Sequence, residues 1–182
     1  MSAARPILAD VNTTTTDVRP REHDDVPVLA RVAAEQQPTS GYPRTWPPMV
    51  GVRDFLVRPD EEAAWVALRD ERIVGHVSVT TVHDDEHGAI WSAGTGRPVT
   101  ELGCVSVLFV AADVRGTGVG GLLLDTATAY LRDAGRTPVL DVDDRDGVAH
   151  AVYLHRGWRV VGEARFHWQG EGTPPARLLA LT

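Results

Sequence analysis

Seven consecutive residues, Arg115-Gly116-Thr117-Gly118-Val119-Gly120-Gly121, carry the clearest chemical signal in this 182-residue chain. Glycines lack the Cβ that would block a ligand, and they adopt positive φ at little cost, so successive backbone N–H groups can converge on one point. A helix that starts directly after such a run adds its own unpaired amides and the positive end of its dipole. The expected ligand is therefore an anion, with phosphate the usual one. Tyr153 is the second group of interest. A phenol titrating at about 10 stays protonated at pH 7 and can donate to a departing thiolate, whereas the apolar neighbours Ala149, Val152 and Leu154 also fit a plain core aromatic.

Two acidic runs have the look of metal sites and fail on detail. His83-Asp84-Asp85-Glu86-His87 has the spacing of a helical zinc pair, but it follows the β-rich run Val77–Val82 and precedes Gly88, which reads as a solvated loop. In Asp141-Val142-Asp143-Asp144-Arg145-Asp146-Gly147 an arginine occupies a calcium-ligand position, and Val152 stands where the bidentate glutamate belongs. No metal is expected.

The elements that must hold these groups follow from periodicity. Cys104–Val110 is apolar and rich in branched and aromatic residues, which predicts a strand buried on both faces. After the glycines, Leu123, Leu124, Ala127, Leu131 and Ala134 share one helical face, Gly135 ends the helix and Pro138 forbids its resumption. Val139–Val142 reads as a strand, Gly147–Arg156 as a helix, and Trp158–Phe166 and Leu178–Leu181 as strands. Upstream, residues 1–11 read as a loose terminus and Thr13–Val18 as a strand. Asp24 or Asp25 caps a helix through Val28, Leu29, Val32 and Ala33. Gln36–Pro59 is proline-rich and reads as irregular apart from one helical turn near Val52–Val57. Ala64–Leu68 and Ile73–Val82 form a hairpin linked by Arg69-Asp70-Glu71-Arg72, and His83–Pro98 reads as a long loop at a sheet edge. The sum is one domain of mixed α/β (α+β) type, with a parallel strand pair inside a mostly antiparallel sheet.

Composition narrows the function. A formal net charge of −7 argues against general attraction to nucleic acid or anionic lipid, so anion binding must come from local geometry. All 18 basic residues are arginine, and the absence of lysine excludes a Walker phosphate loop and Schiff-base chemistry. No apolar run approaches the ~20 residues of a membrane span and the first residues do not read as a signal peptide, so the expected location is the cytoplasm. The lone Cys104 reads as a small buried apolar residue. Gly116-x-Gly118-x-x-Gly121 also matches a dinucleotide fingerprint, with Asp141 about 20 residues beyond it. That alternative needs more βα units than the rest of the chain supplies, and a tighter turn than the stretch from Ala111 to Arg115 allows.

Val110-x-x-x-x-Arg115-Gly116-Thr117-Gly118-Val119-Gly120 resembles the acyl-CoA pyrophosphate loop of the GCN5-related N-acetyltransferases (GNAT), whose pattern is Arg or Gln, two residues, Gly, one residue, then Gly or Ala. A second signature, Ala149-x-x-x-Tyr153-x-x-x-Gly157-Trp158, follows in the order and spacing of that family, with the strand Val139–Val142 between. The resemblance is sharp over residues 100–160. It implies acetyl-CoA as co-substrate, with pantetheine lying where the central strand and its parallel neighbour splay apart. Backbone groups of Leu108, Phe109 and Val110 would hold the pantetheine, and N–H groups of Arg115, Gly116, Thr117, Gly118, Val119 and Gly120 the diphosphate. Asp146 stands where many members carry a cofactor-contacting Asn, and Tyr153 where they carry the proton donor to the leaving thiolate. The implied reaction is acetyl transfer to a primary amine of a small molecule or peptide, by direct attack in a ternary complex. A non-catalytic acyl-CoA-binding module is the alternative from another class. Many members place a base on the central strand at the position of Cys104; here Glu101, reachable through a bulge, is the expected base, with His76 or a water chain as the other choices. Tyr42, Trp46, Trp91 and the loops near Pro47 and Gly94 either line the acceptor pocket or cover a core, and the negative charge favours a cationic acceptor. Members of the family commonly pair through a sheet edge, so a homodimer is also among the expectations.

Overall fold

A computed structural model describes residues 15–143, 147–167, 169–170 and 172–182. The expected loose terminus, the first residues of the expected N-terminal strand, and Asp146 lie outside these residues.

The hydrophobic runs form one seven-stranded sheet: β1 (Thr16–Pro20), β2 (Glu61–Arg69), β3 (Arg72–Thr81), β4 (Leu102–Val110), β5 (Thr137–Val142), β6 (Arg159–Ala164) and β7 (Ala176–Ala180), in the order β1-β2-β3-β4-β5-β7-β6. Every neighbouring pair is antiparallel except β4–β5. The helices are α1 (Val26–Ser40), α2 (Val52–Leu56), α3 (Glu86–Thr95), α4 (Val119–Asp133) and α5 (Val148–His155). A mostly antiparallel sheet with a single crossover pair is the mixed α/β architecture expected, and it leaves no room for a dinucleotide fold built on successive parallel units.

Three expectations give way to tertiary context. The stretch from Gln36 is helical as far as Ser40, because Pro38 falls in the last turn, where one lost amide bond is tolerated, and Gly41 at φ +67° closes the helix. The 83–98 stretch is not a loop: α3 starts at Asp85, whose Oδ1 accepts from Gly88 N at 2.9 Å, and buries Trp91 to 5% exposure. Gly88 and Gly94 inside it are packing points, since a Cβ would lie 2.0 Å from His83 O and 2.5 Å from Val161 Cβ. The link between β2 and β3 contracts to Asp70 and Glu71, both at positive φ, as a two-residue turn matched to strand twist requires.

Two clusters hold the layers together. The larger joins α1, α2 and α4 to the sheet, with Leu123, Leu124, Ala127 and Leu131 of α4 buried as their spacing predicts. Ala134 is exposed, because α4 stops at Asp133. The smaller lies under α3 and contains Val82, Trp91, Leu102, Cys104, Val139 and Leu178.

Candidate functional site

β4 and β5 pair only through Leu102↔Thr137, Gly103↔Pro138 and Cys104↔Val139. Beyond that point β4 continues to Val110 paired with β3, while β5 continues to Val142 paired with β7. The two parallel strands therefore separate, and the β5-facing edge of β4 has no strand partner over its last six residues, Val105 to Val110. An open edge inside a sheet leaves backbone donors and acceptors that a ligand can pair.

The opening is set by a bulge. His76 pairs with Phe109 and Ser78 with Ser106, so β4 carries one extra residue there, and Val107 takes φ +51°. His76 locks it: the ring is fully buried, and Nδ1 donates to Val107 O at 2.9 Å. That bond leaves Nε2 as acceptor, and Arg21 Nη1 lies 3.3 Å from it while also donating to Glu61 and to Leu56 O. Burial pushes the imidazole down to about 4, so it is neutral at pH 7 and is occupied as a structural pin. Because the folded value lies below the 6.5 of the free side chain, the unfolded chain binds more protons between those limits. The contribution is whole above pH 6.5 and is lost as pH falls toward 4. Urea unfolding is expected to give about 2 kcal/mol less stability at pH 5 than at pH 7.5, with the difference abolished in His76→Gln. Asp141, raised above 3.8 by burial, acts with the opposite sign, and the comparison with His76→Gln isolates the imidazole. An unchanged slope in the variant would refute the pin.

At the C-terminal end of β4 the glycine run closes on α4. Gly116 and Gly118 take φ +73° and +91°, and α4 has no side-chain N-cap. The amides of Arg115 and Thr117 are spent on Ala112 O and Val114 O, and Leu122 N on Gly118 O. Among the described residues no protein acceptor meets the amides of Gly116, Gly118, Val119, Gly120 or Gly121. These are the donors left for an anion, a set shifted slightly C-terminal to the Arg115–Gly120 amides expected from sequence. Gly120 has neither a positive φ nor a tight neighbour, since a Cβ there would meet only Val110 Cγ1, at 3.7 Å. Nothing in the protein requires glycine at this position, and the space a side chain would fill lies beside the free amides. A diphosphate fits such a cradle. The Arg115 side chain is engaged elsewhere, donating to Gln36 Oε1 at 3.0 Å. The buried Gln36 amide in turn donates to Tyr42 O, which ties the anion loop to the loop after α1.

On the other side of the opening, Asp141 lies two residues past the last β4–β5 pair, about 7 Å of strand, on the same face as Val139 and Cys104. Burial holds its carboxyl above the usual range, against the pull of Arg58 and His87. The phenol of Tyr42, on a ring that is 38% exposed, is driven above its ordinary value by burial; Arg58 opposes this, while Asp141, Tyr153 and Cys104 add to it. Burial likewise pushes the Cys104 thiol up, so it is no thiolate. Arg44 ion-pairs with Asp143 just beyond β5 and donates to Thr173, which fixes the Tyr42–Trp46 loop over the opening. Tyr153 on α5 packs edge-on to Trp158, ring centroids 5.8 Å apart.

Leu108, Phe109 and Val110 lie on the free edge of β4 and the glycine run at its C-terminal end, while Tyr153 lies on α5 against Trp158 and acts electrostatically on Tyr42. Glu101 lies elsewhere. It sits in a 3₁₀ turn at the paired end of β4, about 30 Å of strand from Val110, and ion-pairs with Arg97 at 3.1 Å. The Val107 bulge comes after Glu101 along the strand, so it cannot turn that carboxylate into the opening. Asp141 is the residue missed: its sequence neighbourhood offers a calcium-like run, and only the splay reveals its position. Trp91 belongs to the core under α3, while Tyr42 faces the opening. Among the described residues no cluster of three metal-ligating groups occurs, and no helix is long and apolar enough to cross a membrane.

The model of the acetyltransferase (GNAT) family matches residues 29–158. Comparison with curated proteins finds no match. Among solved structures, the ribosomal-protein-S18-alanine N-acetyltransferase of Escherichia coli is similar at a TM-score of 0.65 and 15% identity, over 92% of this chain and 93% of that one. An acetyltransferase of Thermus thermophilus gives 0.65 and 20%, over 91% and 96%. The PaiA N-acetyltransferase of Thermoplasma acidophilum, solved in complex with coenzyme A, gives 0.62 and 14%, over 90% and 98%. At these identities the likeness is one of fold.

Proposed function

The chain belongs to the acetyltransferase (GNAT) family, and on that premise we propose that it transfers the acetyl group of acetyl-CoA to a primary amine of a small molecule by direct attack in a ternary complex. The observation that carries this reading is the split between β4 and β5, with unpaired amides on one side and, on the other, the half-buried carboxyl of Asp141, whose charge acts on the Tyr42 phenol. Acetyl-CoA supplies the activated thioester. The amides of Gly116, Gly118, Val119, Gly120 and Gly121 hold its diphosphate, and the free edge of β4 from Leu108 to Val110 holds the pantetheine amides.

Asp141 takes the amine proton. An ordinary carboxylate is a feeble base toward an ammonium, and one raised by burial is better matched to it. The amine nitrogen gains the acetyl carbon as that carbon leaves sulfur, and Tyr153 supplies the proton that the thiolate needs. Solvent then restores the phenol from the Asp141 carboxyl, so the sum is amine plus thioester giving amide plus thiol. By its place in the family pattern, Asp146 is proposed as a further contact to the cofactor.

A thiol-release assay with acetyl-CoA and a panel of amines tests the reading. Asp141→Asn is expected to lower kcat/KM by about 100-fold or more and to erase the acidic limb of its pH profile, with coenzyme A affinity unchanged. Wild-type turnover in that variant would remove Asp141 from the mechanism.

A further inference from the structure

Arg58 has no part in the chemistry just described. It follows α2 in the segment that leads into β2, and its guanidinium lies 5.7 Å from the Phe55 ring, which itself packs 5.8 Å from Tyr42. Its Nε is buried and lacks a hydrogen-bond partner, and among the described residues no carboxylate forms an ion pair with it. Arg31, Arg53, Arg132 and Arg165 also lack a protein partner, but they are exposed and water serves them. Arg58 is half-buried: its Nε is covered, and its terminal nitrogens have no protein hydrogen-bond partner among the described residues, which leaves them to a ligand. Through the Phe55 ring it is joined to Tyr42, and its charge acts on Tyr42 and Asp141, on the acceptor side of the opening.

We propose that Arg58 binds a carboxylate of the acceptor, so that the substrate class is a small zwitterionic amine of the amino-acid type, its ammonium toward Asp141 and its carboxylate toward Arg58. Two opposite charges that act on the same phenol, Tyr42, without forming an ion pair with each other present a complementary pair to such a molecule. The planar guanidinium fork, backed by the Phe55 ring, suits bidentate capture of a carboxylate. The inference rests on acetyl transfer as the activity, and it assigns the acceptor that the family leaves open.

The test compares the proteinogenic amino acids with their carboxamides in the thiol-release assay, using wild type, Arg58→Gln and Arg58→Lys. At least one amino acid is expected to exceed its carboxamide by about 100-fold in kcat/KM. Arg58→Gln is expected to lose that margin by slowing the carboxylate substrate alone, and Arg58→Lys to keep part of it. Calorimetry with coenzyme A should give the same affinity in all three proteins, which separates an acceptor anchor from a cofactor contact and from misfolding. Turnover of amines with no preference for the carboxylate, or a preference that survives in Arg58→Gln, overturns the assignment and leaves acetyl transfer standing. If calorimetry shows coenzyme A bound but no amine of either series releases thiol, the assignment of an amino-acid acceptor falls, and acetyl transfer falls with it only when the wider amine panel is silent too.

Discussion

Gly120→Glu is expected to weaken coenzyme A binding by at least about 100-fold in Kd, while leaving the folded protein at least as stable as wild type. The contrast in those two effects is the point of the substitution. Gly120 lies in the first turn of α4 with ordinary φ, and its added Cβ meets only Val110 Cγ1, at an unstrained 3.7 Å. Within a helix Glu replaces Gly with a gain of about 0.5–1 kcal/mol, and a carboxylate in the first turn favours the dipole by a further ~0.5 kcal/mol. The same carboxylate lies among the amides of Gly118, Val119 and Gly121, where it fills the cradle and repels a diphosphate. Gly118 is a poorer probe, since its φ of +91° would strain any side chain and mix folding with binding. Titration calorimetry and a thermal melt on one preparation give both readings. Unchanged coenzyme A affinity with an unchanged melt would show that the glycine cradle is not where the diphosphate sits.

The parts of this site that sequence makes legible are those carried by local geometry. A buried strand, a glycine run, an amphipathic helix and Pro138 beyond it are encoded within residues 104–138, and β4, α4 and β5 start or stop within a few residues of the pattern. What is illegible depends on residues distant in the chain. The glycines of α3 read as breakers until Val161 and His83 O are seen pressed against them. Glu101 reads as near the site because it adjoins the right strand, and only the direction of that strand puts it at the closed end. Asp141 shows the reverse case. Its carboxyl is raised by burial against the opposing charges of Arg58 and His87, and no window around residue 141 contains either of them. The splay is implied by the family resemblance and by no local pattern of its own, because it consists of pairing that stops after Cys104 and Val139.

Tyr153→Phe is expected to reduce kcat by about 100- to 1000-fold while coenzyme A affinity, the KM for the amine and the melting temperature stay within about twofold or a few degrees. The ring of Tyr153 is half-buried against the larger core cluster and meets Trp158 edge-on, so a purely structural tyrosine would be replaced by phenylalanine without consequence. Only the hydroxyl is removed, and the catalytic reading assigns the loss to it. Few other groups at the opening could substitute. His76 is neutral and holds Val107 O, the Cys104 thiol is pushed up by burial, and the chain has no lysine. Tyr42 is the one competing phenol among the described residues that act on this cleft, and it is held protonated above the ordinary range. Tyr42→Phe is therefore the comparison that decides which of the two donates. If the phenol of Tyr153 delivers the proton to sulfur, the Tyr153→Phe defect lies in kcat, and Tyr42→Phe changes the amine KM instead. If Tyr153→Phe turns over within about twofold of wild type, the leaving thiolate takes its proton from another group, and Tyr153 reverts to a packing residue.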